Sequence, residues 1–197
     1  MATVVALMSM SLDGYVADAN DGVAEVFDWY LSGDVEIATA STDFTFHVSA
    51  PSAEHLRGLM AGAGAFLTGR RTFEAASGWG GHHPWGVPAF VVTHRVPEGW
   101  PRPGSTVQFV TDGIEAAVAR AKAAAGPRSV LVHGAQTIQE CLNAGLLDEI
   151  QIDLAAVLLG AGVRLFDHLA STPVVLGNPT VVTGVGVTHL RYPVRPL

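Results

Sequence analysis

Cysteine is almost missing from this sequence. Cys141 is the single one in 197 residues, so an intrachain disulfide is excluded and a reducing compartment is the expectation. Charge is sparse as well. Only 15% of residues are charged and the net charge is −7. That balance argues against a nucleic-acid-coating role while leaving room for a local basic pocket. No apolar run reaches the ~20 residues of a membrane span. The opening stretch Met1–Leu7 carries no basic leader; it turns polar by Ser9 and reads as a first strand, not a secretion signal. A cytoplasmic protein bound to neither membrane nor nucleic acid is expected. Two nucleotide fingerprints, G-x-G-x-x-G and G-x-x-x-x-G-K-[ST], are also missing, so ordinary Rossmann and P-loop readings fail.

What is present is an apolar chain. Hydrophobic residues make up 49%, which suits one domain over residues 1–197 with a full core. Up to Gly145 the patterns alternate. Apolar runs at 3–8, 63–68, 88–93, 106–110 and 129–132 predict buried strands. Helices are predicted over 23–31, 51–60 and 114–125, the last with Asp112 and Glu115 as a capping box, and another after His133-Gly134 with Ile138, Cys141 and Leu142 inward. Beyond Gly145 come strand patterns at 148–159, 174–176, 180–185 and 187–192, without comparable helices between them. The expected fold class is α/β: a mixed, mostly parallel central sheet with helices on both faces and antiparallel hairpin strands added C-terminally. Residues 34–49 give no clear element. Residues 77–86, rich in Gly and Trp, have no period and read as a functional or interface loop.

In an open α/β sheet, ligands bind at the carboxyl ends of the parallel strands. Three predicted ends carry suitable groups: Thr68-Gly69-Arg70-Arg71-Thr72, Thr93-His94-Arg95, and His133-Gly134-Ala135-Gln136-Thr137. In the first, two arginines open a helix, where free N–H groups and the positive dipole end favour an anion. Their forked donors suit phosphate oxygens. The alternative is solvated surface charge. The third end is a second candidate phosphate site.

Three carboxylates are candidates for an acid or anchor whose pKa burial would raise. Asp13 follows the first strand, though Asp13-Gly14 also reads as an ordinary turn. Asp28 lies on the helix at 23–31 or on its solvated face. Asp153 interrupts an apolar strand and needs a partner or ligand if buried, unless it sits at an edge or a subunit contact. His82-His83 has no acidic or cysteine partners nearby, so no metal is expected. His47, His55, His168 and His189 are assigned no catalytic role.

Taken in order, several stretches resemble the dihydrofolate reductase-like superfamily, in the branch of the C-terminal reductase domain of the bacterial riboflavin biosynthesis protein. They are Ser11-Leu12-Asp13-Gly14-Tyr15-Val16-Ala17, Gly69-Arg70-Arg71-Thr72-Phe73-Glu74, Gly78-Trp79-Gly80-Gly81 and Val91-Val92-Thr93-His94. Further on they are Gly145-Leu146-Leu147-Asp148-Glu149-Ile150, Val157 to Phe166 and Thr188-His189-Leu190-Arg191-Tyr192. The resemblance implies a three-layer dihydrofolate reductase-like fold and an NADPH-dependent reductase, forming a homodimer and acting on a small heteroaromatic substrate. It implies that Gly69, Arg70, Arg71 and Thr72 hold the 2′-phosphate side of the cofactor, that Thr93 and His94 lie near the adenosine, and that Gly134 to Thr137 bind the pyrophosphate. Relatives usually have paired glycines where this chain has His133-Gly134, and often proline in place of Ala156. The competing expectation is a dinucleotide-, flavin- or pterin-binding protein without turnover.

Overall fold

The computed structural model describes residues 2–41 and 44–195. Met1, the first residue of the stretch read as a strand, lies outside them. Twelve strands and five α-helices follow one another among the described residues. The chain begins with β1 (Val4–Ser11) and β2 (Tyr15–Ala17), then a short α1 (Ala24–Phe27) that tightens into a 3-10 turn at Asp28–Leu31. The stretch that gave no signal forms β3 (Val35–Ala38) and β4 (Thr45–Val48), an antiparallel pair outside the main sheet. Next come α2 (Ala50–Gly62), β5 (Ala63–Gly69), α3 (Arg70–Ala75), β6 (Ala89–Val92), β7 (Val107–Val110), α4 (Ile114–Ala125), β8 (Ser129–His133) and α5 (Ala135–Asn143). The chain closes with β9 (Glu149–Ala155), β10 (Val163–Arg164), β11 (Thr180–Thr183) and β12 (Val187–Pro193).

Eight strands form the central sheet in the order β11-β12-β9-β1-β8-β5-β6-β7. The run from β9 to β7 is parallel throughout. β12 pairs antiparallel with β9, and β11 with β12. The mixed sheet with C-terminal antiparallel strands is therefore as expected. Crossover helices cover a parallel sheet on both faces, which explains its near-continuous apolar strands. On one face, Val118 and Ala121 of α4 and Ile138 and Cys141 of α5 pack on Ala65, Leu67, Val130 and Val132. On the other, Leu56 and Leu59 of α2 lie over the sheet, with Trp29, Phe46 and Val48 completing the layer.

Three local readings are corrected. α4 is capped by Gly113, and the Asp112 carboxylate is turned to Arg120 instead of forming a capping box. Residues 174–176 make only a single bridge, Leu176 to Val194; the prolines and glycine at 173, 177 and 179 interrupt any ladder. The predicted strand at 148–159 ends at Ala155, because the following residues turn back to the β1–β2 corner, where Leu12 N–H donates to Val157 O.

Candidate active site

A cavity of about 430 Å³ opens at the carboxyl ends of β1, β5 and β8. Strand alternation builds its floor. Leu131 and His133 share one face of β8, and Leu7 and Phe66 line the same side of the sheet. Phe27 and Tyr30 come from the short helical turns, and Phe44 and Phe46 from the β3–β4 hairpin. The 77–86 loop supplies Trp79, His83 and Trp85. This loop is wound through a run of left-handed residues, from Ser77 (φ 50°) and Trp79 (φ 49°) to Gly81 (φ 103°). Gly78 is required within it, since a Cβ there would fall 2.6 Å from the Trp100 ring. Strained non-glycine backbone is found where structure around it is over-determined, often at ligand sites.

Two histidines give the cavity its chemistry. The His83 ring stacks on Phe66 at 4.0 Å, and His133 lies 5.6 Å from the same ring. Burial pushes His133 down to about 4, against a smaller opposing pull from the Asp153 carboxylate. Burial, and then His133 itself, push His83 down to about 3. Both imidazoles are thus neutral at pH 7. His133 Nδ1 is buried and has no hydrogen-bond partner. Burial, reinforced by Asp153, also raises the Tyr30 phenol above the ordinary tyrosine range. Among the described residues, the charged ones lining the cavity are Arg71 and Asp21, which pair with each other.

The three predicted strand ends do meet. β8, β5 and β6 are neighbours, so Gly69, Thr93 and Gly134 fall along one edge. Thr68 is buried and donates to His133 O at 2.9 Å, so it ties strands together and does not face a ligand. A Cβ on Gly69 would lie 2.8 Å from Thr137 Oγ1, and one on Gly134 2.6 Å from Thr72 Oγ1. Gly134 also has φ 91°, a conformation that L side chains rarely adopt. These glycines let α3 and α5 approach closely. Arg70 bonds Glu74 at 2.7 Å and reaches Arg95 O at 3.5 Å. Thr93 closes a turn onto Arg95, His94 is exposed, and exposed Gln136 bonds Glu140. Ala135 lines the cavity and Thr137 is buried.

None of the three candidate carboxylates lines the cavity. Asp13 accepts from Ser11 Oγ (2.6 Å) and from the N–H groups of Leu159 (3.1 Å) and Gly160 (2.7 Å). These bonds, Ser11 first, lower its pKa where a raised one was expected. It staples the β1–β2 corner to the 157–160 loop. Asp28 is exposed and bonds Ser32 within its own turn. Asp153 is 2% exposed and sits under α2, where Oδ1 meets His189 Nδ1 at 2.7 Å and Gln151 Nε2 at 3.0 Å. His189 Nε2 contacts Ser52 Oγ at 3.0 Å, and the His55 ring stacks on His189 at 4.1 Å. Although burial opposes it, these hydrogen bonds keep the Asp153 pKa below the usual carboxylate value. His55 and His189 therefore take a part that sequence reasoning gave them no reason to hold. Their only advance signal was Asp153 itself, a buried acid in need of partners.

A family model for the RibD C-terminal domain matches residues 2–181. Among solved structures, a putative riboflavin biosynthesis protein from Shewanella sp. PV-4 aligns over 100% of both chains at 26% identity with a TM-score of 0.70. RibD from Acinetobacter baumannii aligns at 16% identity and a TM-score of 0.64, and this chain spans 58% of its length. Dihydrofolate reductase from Enterococcus faecalis, solved with NADP(H), aligns over 98% of this chain and 97% of its own at 11% identity and a TM-score of 0.59. The search of curated proteins returns no match. The fold is thus dihydrofolate reductase-like, and with the family model spanning nearly all of it, the chain belongs to the RibD C-terminal domain family.

Proposed function

We propose that the protein is an NADPH-dependent reductase, a single domain over residues 1–197, that passes a hydride to a small heteroaromatic acceptor of the pterin or pyrimidine type. One observation carries the reading. The phosphate-suited edge and the aromatic cavity are continuous, because Arg71, Thr72, Gly134 and Ala135 line the cavity and also belong to the strand ends that meet on that edge. The family assignment supports it, as does the fold shared with a reductase solved with NADP(H).

The residues present fit the cofactor. Gly134, with no Cβ to meet the Thr72 hydroxyl, lies at the N-terminus of the nine-residue α5, where backbone N–H groups suit a pyrophosphate. Arg70 and Arg71 stand where a 2′-phosphate would enter, with Thr93 and His94 on the adjacent strand end. Each arginine already has an exposed carboxylate partner. Such pairs contribute only about 0–1 kcal/mol, so a phosphate can displace them. When bound, NADPH supplies the hydride; the chain supplies position and exclusion of water. Trp79 and Trp85 wall the cavity, and the neutral imidazoles offer hydrogen bonds to an acceptor. His133, where relatives carry glycine, ends β8 with its ring beside Phe66 and leaves the turn at Gly134 intact. Asp13, Asp28 and Asp153 are the catalytic carboxylates expected from sequence; of these, only Asp153 acts electrostatically on cavity groups, through Tyr30 and His133. Homodimer pairing would use the C-terminal edge, where Val181 and Val185 are exposed.

The competing reading is a binding protein without turnover. It is favoured by the lack of an unpaired acid in the cavity lining among the described residues. Loss of reduced-nicotinamide absorbance on adding pteridine, pyrimidine or quinone acceptors separates the two. The reductase reading expects acceptor-dependent NADPH oxidation. Saturable NADPH binding with no oxidation by any acceptor class would leave the binding protein.

A further inference from the structure

Under α2, away from the cavity, lies a polar cluster that the proposed reaction does not use. Strand register sets it up. Asp153 of β9 lies opposite His189 of β12, and His55 of α2 stacks its ring on His189 at 4.1 Å. Two histidines thereby turn their edges to one carboxylate. His189 Nδ1 lies 2.7 Å from Asp153 Oδ1, and His55 Nε2 lies 3.6 Å from the same oxygen. A nitrogen from each ring and a carboxylate oxygen all fall within 4.8 Å of one another, the single such group among the described residues.

Three needs in this cluster are left unmet by the protein. Among the described residues, the ion partners of Asp153 are the two histidines, and Arg191 is paired with Glu149. No lysine or arginine therefore balances a carboxylate that is 2% exposed. His55 Nε2 and Gln151 Oε1 are both buried without a hydrogen bond, which is costly. Gln151 is fully buried, and its amide nitrogen donates to Asp153 Oδ1 at 3.0 Å. One divalent cation meets all three needs. Neither unpartnered atom is open to water, but a metal ion sits closer to its donors, at about 2.0–2.1 Å, than a hydrogen-bonded water does. Two imidazoles and a carboxylate are a zinc-type donor set. With bonds of that length, donors around a tetrahedral ion lie roughly 3.3 Å apart. The 3.6 Å separation needs little change. The 2.7 Å contact opens as the ion replaces the proton between Nδ1 and Oδ1, which leaves to solvent. His189 Nε2 then keeps its proton and donates to Ser52 Oγ at 3.0 Å, the kind of outer bond that orients a ligating imidazole. A groove of about 160 Å³ between α2 and β11–β12 reaches His55, His189 and Gln151 and gives the ion a way in. We propose that His55, Asp153 and His189, with Gln151 Oε1 as fourth donor, form a zinc-type divalent-cation site that ties α2 to β9 and β12. The groove shares no lining residue with the cavity, so the site stands apart from the reductase reading.

Calorimetry of the chelator-stripped full chain with Zn²⁺ at pH 7 tests it, beside His55→Phe and a control, His82→Ala/His168→Asn, that alters exposed histidines. His55→Phe keeps a ring against His189 and removes an unpartnered nitrogen, so the metal-free variant should keep its unfolding midpoint. The expected result is one Zn²⁺ per chain in wild type and in the control, and at least tenfold weaker binding in His55→Phe. Zinc at about 100 times Kd should raise the wild-type Tm by about 5 °C or more, and that of His55→Phe by less than half as much. Co²⁺ in place of Zn²⁺ should give wild type the intense visible bands of a four-coordinate ion. No zinc binding, equal binding by His55→Phe, or loss of binding in the control overturns the proposal. Should His55→Phe fail to fold, the cobalt spectrum of wild type decides: the weak bands of a six-coordinate ion would mean surface donors only and would overturn it as well.

Discussion

The arginine edge and the aromatic cavity meet at Arg71 and Thr72 but are built on opposite terms. At the edge, charge is exposed and loosely paired: Arg70 with Glu74, Arg71 with Asp21. In and beside the cavity, polar groups are buried and either neutral, as His83 and His133 are, or tightly bonded, as Asp153 is. Exposed pairs hold little energy and exchange partners easily. Buried polar groups hold much and tolerate little loss. Substitutions at the edge should therefore change binding and leave stability alone, whereas substitutions in the interior should change stability.

The largest effect is expected at His189. His189→Leu takes the 2.7 Å partner from the buried Asp153 carboxylate, and should cost about 3–5 kcal/mol in urea unfolding. A cost below about 1 kcal/mol would mean that the Asp153 cluster is no firmer than the edge. Gly134→Ala comes next. It forces a Cβ into φ 91° and against Thr72 Oγ1, a strain of about 1–3 kcal/mol, and it should weaken NADPH binding at the same time because the two regions share this residue. The pH response is smaller. The folded-state pKa values of His133 and His83, about 4 and about 3, lie below the ordinary value of 6.5. Between pH 6.5 and 4 the unfolded chain takes up protons that the folded chain refuses, so stability is full above 6.5 and falls as pH drops through that window. Asp153, lowered from 3.8, contributes its own loss only below that window. Tm should thus be lower at pH 5 than at pH 7, and less so in His133→Phe. The smallest effect is expected for Arg120→Ala, which breaks the exposed pair with Asp112 and should cost at most about 1 kcal/mol.

The same contrast governs what the sequence could reveal. The eight strands of the central sheet, its parallel core with antiparallel C-terminal strands and the three ligand-suited ends were legible, because period and glycine placement are local signals. The arginine edge was legible because charge after a strand end needs no tertiary information. The cavity was not. Phe44 and Phe46 reach it from a stretch without readable period, and His83 from a loop. His133 was read as a neighbour of the pyrophosphate, yet its ring turns into the cavity because strand alternation places it beside Phe66. The carboxylates misled for a related reason. An acid next to a glycine turn or inside an apolar strand shows that a partner is needed, but not which one. Asp13 found backbone N–H groups and Asp153 found His189, each brought near only by folding.

The most direct test of the account is NADPH and NADH affinity, read from quenching of tryptophan fluorescence in wild type and in Arg70→Ala/Arg71→Ala. Trp79 and Trp85 line the cavity and so report on its occupation. The account predicts that NADPH binds more tightly than NADH. It also predicts that the double variant loses about tenfold or more of the NADPH affinity, ~1.4 kcal/mol, with an unchanged unfolding midpoint. Equal affinity for both nucleotides, unaffected by the two substitutions, would contradict it.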